Sequence, residues 1–556
     1  MSAFSRLKIA APATALAALL AACGGGGGGD TSTSNPDAGT GGDIARPVPG
    51  QARANCTLRY SLTGLPPAGS GADPRLSEQW HLQPGGTDAL AVWARPPGIQ
   101  GSGVRVAVVD DAVETVHEDL APNVVAGASH NYLDGSAQPL PCTAEDDHGT
   151  SVAGIIAARD ANGVGVAGVS PRAALVGYNA LASSSTADIA DAMTRGLRDN
   201  AIVHNSWGSP DDGTLNPSDT LWENAVRRGV RDGRDGRGTV YMFAAGNGGT
   251  VRVPQSGALV TENSNFDGFV NKLGVNAICA VGRDGRSPGY AEPGANILVC
   301  GPSSGGSSGV VTTNIQNAYR ADFGGTSAAT PMASGVAALV MQTRPELTWR
   351  DVRLILARSA RKNDPGDAGW MPSALPGDKQ FHHRYGFGTV DAGAAVALAS
   401  NWPSVGGWST LQSCGPYNRS PNLAIPDAGG TLGAPVPGAP VADAVAVPAD
   451  CPVRKIEFVE VSFTSNHPYW ADLDVRLVSP AGRTSVLADT RFCGAGVSAA
   501  NNPCAGAAYA GGWQFGSVRH LDESAAGTWQ LVVADGTPND LGTLGSWSVR
   551  FWGRQE

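Results

Sequence analysis

The sequence predicts an α/β domain built on a parallel sheet flanked by helices, followed by an all-β sandwich. Continuous apolar runs at 104–109, 173–178, 201–203, 240–245 and 277–281 read as strands buried on both faces. Helical stretches at 151–158, 187–198 and 221–231 lie between them, and strand–helix alternation argues a parallel sheet. After about Ser400 that rhythm stops. A Gly-, Pro- and Ala-rich stretch at 415–452 leads into four segments with apolar residues at every second position. These are Val459, Val461 and Phe463; Leu473, Val475 and Leu477; Trp529, Leu531 and Val533; and Trp547, Val549 and Phe551. Such alternation, broken by turn residues, argues an antiparallel sandwich. At 556 residues the chain is long enough for two cored domains. Its net charge of −10 argues against general nucleic-acid binding, while acidic surroundings help attract basic peptide segments.

Three segments in chain order carry the chemistry: VAVVDDAVETVHEDL, DDHGTSVAGIIAA and GGTSAATPMASG. They supply Asp110 at the end of a strand, and His148 and Ser327 each at the start of a helix. A serine hydroxyl is a poor nucleophile at neutral pH. It needs a base within hydrogen-bond reach, and that base needs a carboxylate to fix its tautomer and stabilise the imidazolium. A fourth segment, FAAGNGG, ends a strand with Asn247, whose amide can donate to a developing oxyanion. Ser327 at a helix N-terminus adds its own backbone N–H at the positive end of the dipole. Pro331 is read as tolerable because the first helical turn has no intrahelical N–H bonds to lose. Singly, each piece has a plainer reading: a turn carboxylate, a helix-entry residue, a capping serine. All four together, at the strand ends and helix starts where sites in open α/β sheets gather, point to a serine peptidase.

These segments resemble the subtilases, whose triad runs Asp, His, Ser along the chain. The likeness covers roughly residues 73–400 and implies a subtilisin-like sheet for that domain. Finer details are similar to the kexin and furin group of proprotein convertases. The resemblance implies that Asp111 faces the substrate residue before the scissile one. It implies a substrate-binding strand at Ser206, Trp207 and Gly208, then an acidic loop with Asp211. It lays Asp267 at the floor of the S1 pocket, beside Asp211. A partly desolvated carboxylate is costly unless a cation pairs with it, so such acids select substrate Arg or Lys; bidentate geometry favours Arg. The implied cofactor is Ca2+, which gathers about six to eight oxygens from scattered loops. One implied site joins Asp73, Asp119 and Asn162. The other joins Asp211, Glu262 and Glu292, against the S1 pocket. Residues 401–556 resemble the jelly-roll-like P domain of the convertases, notably at 472–480 and 523–529; in that family it packs on the catalytic domain and stabilises it.

At the N-terminus, Arg6 and Lys8 lead an apolar stretch at 9–20, too short for a transmembrane helix. Leu20-Ala21-Ala22-Cys23 resembles the lipobox of bacterial lipoproteins. The expectation is a signal peptide at 1–22, lipidation of Cys23 and an anchor in the bacterial cell envelope, at the outer membrane; a plain secretory signal is the alternative. Six glycines follow Cys23, and 23–72 reads as a flexible linker. Only 56–64 looks structured there, too little for the propeptide most subtilases carry, so either folding needs no intramolecular helper or, as expected here, a separate chaperone supplies it. Of nine cysteines, eight remain beside Cys23, enough for four disulfides. Eight thiols permit 105 connectivities and spacing alone does not choose among them; the economical pairing of sequence neighbours is Cys279–Cys300, Cys414–Cys451 and Cys493–Cys504, with Cys56–Cys142 left over. The functional expectation is a calcium-dependent serine endopeptidase preferring basic residues at P1. Two alternatives stand beside it: a broad-specificity subtilase in which Asp111, Asp211 and Asp267 serve structure, and an inactive surface lipoprotein whose sandwich binds a ligand.

Overall fold

The computed structural model describes residues 56–61, 69–252, 259–432, 434–491 and 504–556. The leader, Cys23 and most of the expected linker lie outside the described residues. Six strands form the central sheet: β1 (Arg105–Val109), β2 (Ala174–Tyr178), β3 (Asn200–Asn205), β4 (Val240–Ala244), β5 (Val275–Val281) and β6 (Ile297–Pro302). Their order is β2-β1-β3-β4-β5-β6 and every pairing is parallel. The five expected strands are all present, with β6 added at one edge. Every residue of β3 and β5 is buried, as a sheet covered on both faces requires.

Helix α1 (His148–Ala157) starts at His148 itself. Helix α2 (Thr186–Thr194) stops short of the expected 198, because Arg195 takes extended backbone. Helix α3 (Thr220–Gly236) runs longer than expected but loses helical geometry at 233–235. Helix α4 (Gly325–Thr343) is buried from Gly325 to Met341, which its small and apolar side chains on all sides permit. Its start corrects one expectation. Pro331 lies in the second turn, so its missing N–H deprives the carbonyl four residues back, that of Ser327, of an intrahelical donor.

The C-terminal domain is two antiparallel sheets. Strands β7 (Gln412–Arg419), β8 (Val441–Val447), β9 (Lys455–Ser465), β10 (Leu473–Val478), β11 (Thr484–Ala488), β12 (Trp513–Ser517), β13 (Gly527–Asp535) and β14 (Gly542–Arg554) build it. One sheet runs β7-β14-β9-β12, the other β8-β13-β10-β11. All the alternating residues picked from the sequence are buried between them.

The two domains exchange core residues. Phe458, Val518, Leu521 and Trp552 pack into the core of the first domain, while Phe266 and Ala295 pack into the sandwich. A fully buried ion pair, Arg350–Glu457 at 2.6 Å, crosses the junction; removing one partner of such a pair costs about 3–5 kcal/mol. Disulfides join Cys56–Cys142, Cys279–Cys300 and Cys414–Cys451, as expected. Cys504 is also disulfide-bonded; Cys493, its expected partner, lies outside the described residues. Among the described residues no helix is long and apolar enough to cross a membrane.

Candidate active site

Strand β1 delivers Asp110 to the carboxyl end of the sheet, where α1 closes over it. A Cβ at Gly149 would stand 2.2 Å from the Ala112 carbonyl oxygen and 2.7 Å from the Asp110 Cβ, so this approach needs glycine. His148 Nδ1 donates to Asp110 Oδ1 at 2.9 Å, and the Asp111 backbone N–H donates to the same oxygen at 2.8 Å. The imidazole packs against the Phe323 ring, 5.4 Å between centroids, and its Nε2 is buried without a hydrogen-bond partner. Burial pulls the His148 pKa down, but the Asp110 charge and hydrogen bond outweigh it and push it up to about 9. Ser327, in the first turn of α4, donates its hydroxyl to the Ser206 carbonyl at 3.2 Å. The structure thus joins Asp110 to His148 directly, and turns the Ser327 hydroxyl toward Ser206.

Asn247, just past β4, accepts from the Thr326 N–H at 2.8 Å and the Thr326 hydroxyl at 3.0 Å. A backbone N–H can only donate, so the Asn247 oxygen must face Thr326 and the amide nitrogen must point away. That Nδ2 is buried and has no partner. Buried polar atoms are almost always hydrogen-bonded, and the exceptions ask for a reason.

Ser206, Trp207 and Gly208 form a strand end whose indole is an anchor. Trp207 is wholly buried, donates to the Val109 carbonyl at 3.0 Å and meets Phe243 and Phe269 edge-on. Its side chain therefore fixes the strand and does not reach a substrate. Gly208 lies against Asp267: a Cβ there would stand 2.6 Å from Oδ2. Half-buried Asp267 accepts from the Ser209 N–H and hydroxyl, each at 2.9 Å, and from the Phe269 N–H at 2.7 Å. Burial raises its pKa while those bonds oppose the rise. Asp267 and Asp211 share a depression with Gly208, Pro210, Asn216 and Ala245. Asp111 turns toward α1, accepting from the His148 N–H at 3.2 Å and the Gly149 N–H at 2.9 Å. Burial and the Asp110 charge push its pKa up to about 8.

Residues 101–388 match the Subtilase family, and residues 456–551 match the Proprotein convertase P-domain. The chain belongs to the subtilase family. It is 33% identical to Protease KEX1 of Kluyveromyces lactis over 497 residues, covering 87% of this chain and 60% of that one. It is 32% identical to the Dibasic-processing endoprotease of Schizosaccharomyces pombe, covering 87% of this chain and 66% of that one. The chain thus spans less than two thirds of the length of these curated relatives. A serine protease of Aeromonas sobria superposes with a TM-score of 0.71 at 27% identity, covering 92% of this chain and 100% of that one. The same protease solved in complex with a chaperone gives 0.72 at 25%, covering 92% of this chain and 99% of that one.

The two carboxylate groups of this subtilase differ in what they offer a cation. Among the described residues, no three His, Cys, Asp or Glu side chains already stand at metal-site spacing. Asp73, Asp119 and Asn162 do converge, and N–H groups donate to both carboxylates. Asp73 accepts from the Ala161 and Asn162 N–H groups at 3.0 and 3.2 Å. Asp119 accepts from the Asn162 amide at 2.8 Å and the Val166 N–H at 2.9 Å. The Asn162 oxygen takes the Val164 N–H at 3.1 Å, so Asn162 turns its NH2, not its oxygen, into the group. Calcium needs oxygens, so with its amide turned this way Asn162 offers none and the group falls one side-chain ligand short.

Asp211, Glu262 and Glu292 fit better because all three side chains offer oxygens, although Glu262 and Glu292 also accept from the Gly213 and Gly248 N–H groups. They crowd the Asn247 loop: a Cβ at Gly246 would overlap the Glu292 carboxylate at 2.1 Å, and one at Gly248 would meet Glu262 Cγ at 2.4 Å. Asp211 and Glu292 face each other closely enough that each carboxylate perturbs the other, and both cannot be charged without a proton or cation beside them. Burial and the neighbouring carboxylates raise both, Asp211 to about 7. The cation in contact is Arg491, from the sandwich, whose Nη1 meets Glu262 Oε2 at 2.6 Å. Its guanidinium lies 4.0 Å from the Phe266 ring centroid and 4.2 Å from that of Trp470. Sequence reasoning missed Thr326, which orients Asn247, and Arg491. The first sits inside the GGTSAATPMASG motif; the second, distant in sequence, carries no local signal.

Proposed function

We propose that this subtilase is a calcium-dependent serine endopeptidase that cuts polypeptides after basic residues. The observation that carries the reading is a pair of buried, unpartnered atoms beside the start of α4: His148 Nε2, a waiting acceptor, and Asn247 Nδ2, a waiting donor. In this reading the Ser327 hydroxyl swings from Ser206 toward Nε2, and His148 takes its proton as Oγ attacks the peptide carbonyl. Asp110 holds the Nδ1–H and stabilises the imidazolium. Asn247 Nδ2 and the Ser327 N–H receive the oxyanion. His148 then gives the proton to the leaving amine, and water releases the acyl group by the same steps in reverse. Asp267 and Asp211 are the acids that would receive a substrate Arg or Lys.

Calcium is assigned to Asp211, Glu262 and Glu292, where a divalent charge would let all three ionise beside the proposed S1 pocket. Support for basic-site cleavage comes from relatives named Protease KEX1 and Dibasic-processing endoprotease. The chaperone solved with the Aeromonas sobria protease supports a separate folding helper for this chain. Lipidation at Cys23 and an outer-membrane anchor complete the proposal; incorporation of labelled palmitate, lost in Cys23→Ala, tests them.

Ser327→Ala should abolish both peptide hydrolysis and fluorophosphonate labelling while the thermal unfolding profile stays that of the parent; surviving hydrolysis overturns the assignment. One observation favours a second reading, a broad-specificity peptidase: Asp267 already holds three internal donors. Peptides carrying Arg, Lys, Leu or Phe at P1 separate the two.

A further inference from the structure

We propose that His204 is a positioning residue for the nucleophile, acting through a hydrogen-bond chain that runs one way beneath Ser327. The inference rests on Ser327 being the nucleophile. Its starting point is Pro331, which leaves the Ser327 carbonyl without a helical donor. The Ser206 hydroxyl supplies one instead, at 3.0 Å. His204 Nε2 lies 2.8 Å from that hydroxyl, and His204 Nδ1 lies 2.8 Å from the Ser334 hydroxyl. All four residues are completely buried.

The proton order follows from the inventory of donors and acceptors. Ser206 has one O–H and spends it on the Ser327 carbonyl, so it must accept from His204. His204 therefore carries its proton on Nε2, and Nδ1 accepts from Ser334. Burial, together with His148 nearby, pushes the His204 pKa down to about 3, which keeps the ring neutral. The geometry comes from two periodicities. His204 and Ser206 are two apart at the end of a strand and point to one face, and Ser334 lies seven residues, about two turns, beyond Ser327 on α4.

Ser206 and Ser327 thus hold each other twice, hydroxyl to carbonyl in each direction, at 3.0 and 3.2 Å. His204 fixes the Ser206 rotamer and so fixes the backbone from which the Ser327 hydroxyl swings. An apolar side chain at 204 would free Ser206 to turn away and withdraw its hydroxyl from the Ser327 carbonyl.

The test is the rate at which a fluorophosphonate labels Ser327, alongside kcat and KM on one peptide. His204→Leu should slow labelling and kcat by about tenfold, the worth of one buried hydrogen bond, with KM unmoved. His204→Gln, whose amide nitrogen can overlay Nε2, should restore most of the rate. Labelling of His204→Leu at the parent rate, or equal losses in the Leu and Gln variants, overturns the proposal in favour of packing alone. Should His204→Leu fail to fold, Ser334→Ala decides: a slower rate supports the chain, an unchanged one refutes it. A parent protein that never labels would instead remove Ser327 as nucleophile, a separate outcome.

Discussion

Replacing Asn247 with leucine keeps the side chain's approximate bulk and removes a donor that has nothing else to do. Its Nδ2 is buried and unpaired, so ground-state contacts lose little on that side. In the transition state the same atom would meet the oxyanion. Removing such a donor in subtilisin costs about 10²–10³ in kcat, roughly 2.7–4 kcal/mol, and the same order is expected here. The other half of the side chain behaves differently. Its oxygen holds the Thr326 N–H and hydroxyl, so Asn247→Leu also orphans a backbone donor, at about 1–3 kcal/mol of stability. Thr326→Val separates the two roles. It keeps the Nδ2 donor and one of the two anchoring bonds, so kcat should fall by about tenfold at most. Steady-state hydrolysis of one peptide, with thermal unfolding in parallel, gives both quantities. Because the donor acts in the transition state, KM should not move. Asn247→Leu with kcat within about tenfold of the parent, or Thr326→Val losing as much as Asn247→Leu, would refute the reasoning.

Other perturbations have equally definite outcomes. Only neutral His148 can take the Ser327 proton, and Asp110 holds its pKa up to about 9, so kcat/KM should climb through neutral pH into the alkaline range. Asp110→Asn should shift that limb to lower pH while cutting the ceiling by about 10⁴; a parent limb complete below pH 7 would contradict the geometry. Asp267→Asn should collapse the ratio of kcat/KM for Arg over Leu at P1, and an unchanged ratio would assign Asp267 to structure alone. Equilibrium dialysis of the whole chain should saturate at a single calcium ion, lost in Glu292→Gln and retained in Asp119→Asn. A second ion lost in Asp119→Asn would instead show Asn162 able to reverse its amide. In calcium-free protein, Arg491→Met leaves Glu262 buried among carboxylates without a cation, so unfolding should lose about 3–5 kcal/mol, measured by denaturant titration with chelator present.

Much of this architecture was legible because it is periodic or local. Strands β1 to β5 announced themselves as apolar runs, and the sandwich by alternation that the burial of Val459, Leu473, Trp529 and Trp547 bears out. Asp110, His148, Ser327 and Asn247 sit at strand ends and helix starts, where neighbouring residues mark them. What stayed hidden depends on contacts between distant segments. Nothing near Arg491 in sequence shows that Glu262 waits for it 229 residues away. The Pro331 expectation failed because the start of α4 was placed too late; the chain enters that helix at Gly325. Asn162 stood in a plausible ligand position, but which end of an amide faces inward is set by the backbone donor of Val164, which no spacing reveals.

Phe266 precedes Asp267 by a single residue, yet its ring belongs to the neighbouring β-sandwich. Asp267, the proposed floor of the S1 pocket, therefore sits on a segment mounted on one domain and braced from the other. A truncation at the interdomain boundary would not leave a smaller enzyme with the same appetite, and a chimera given a foreign sandwich would import a new brace for Asp267 along with it. If Asp267 selects the substrate as proposed, selectivity in this chain is a property of the junction, and the two halves must vary together.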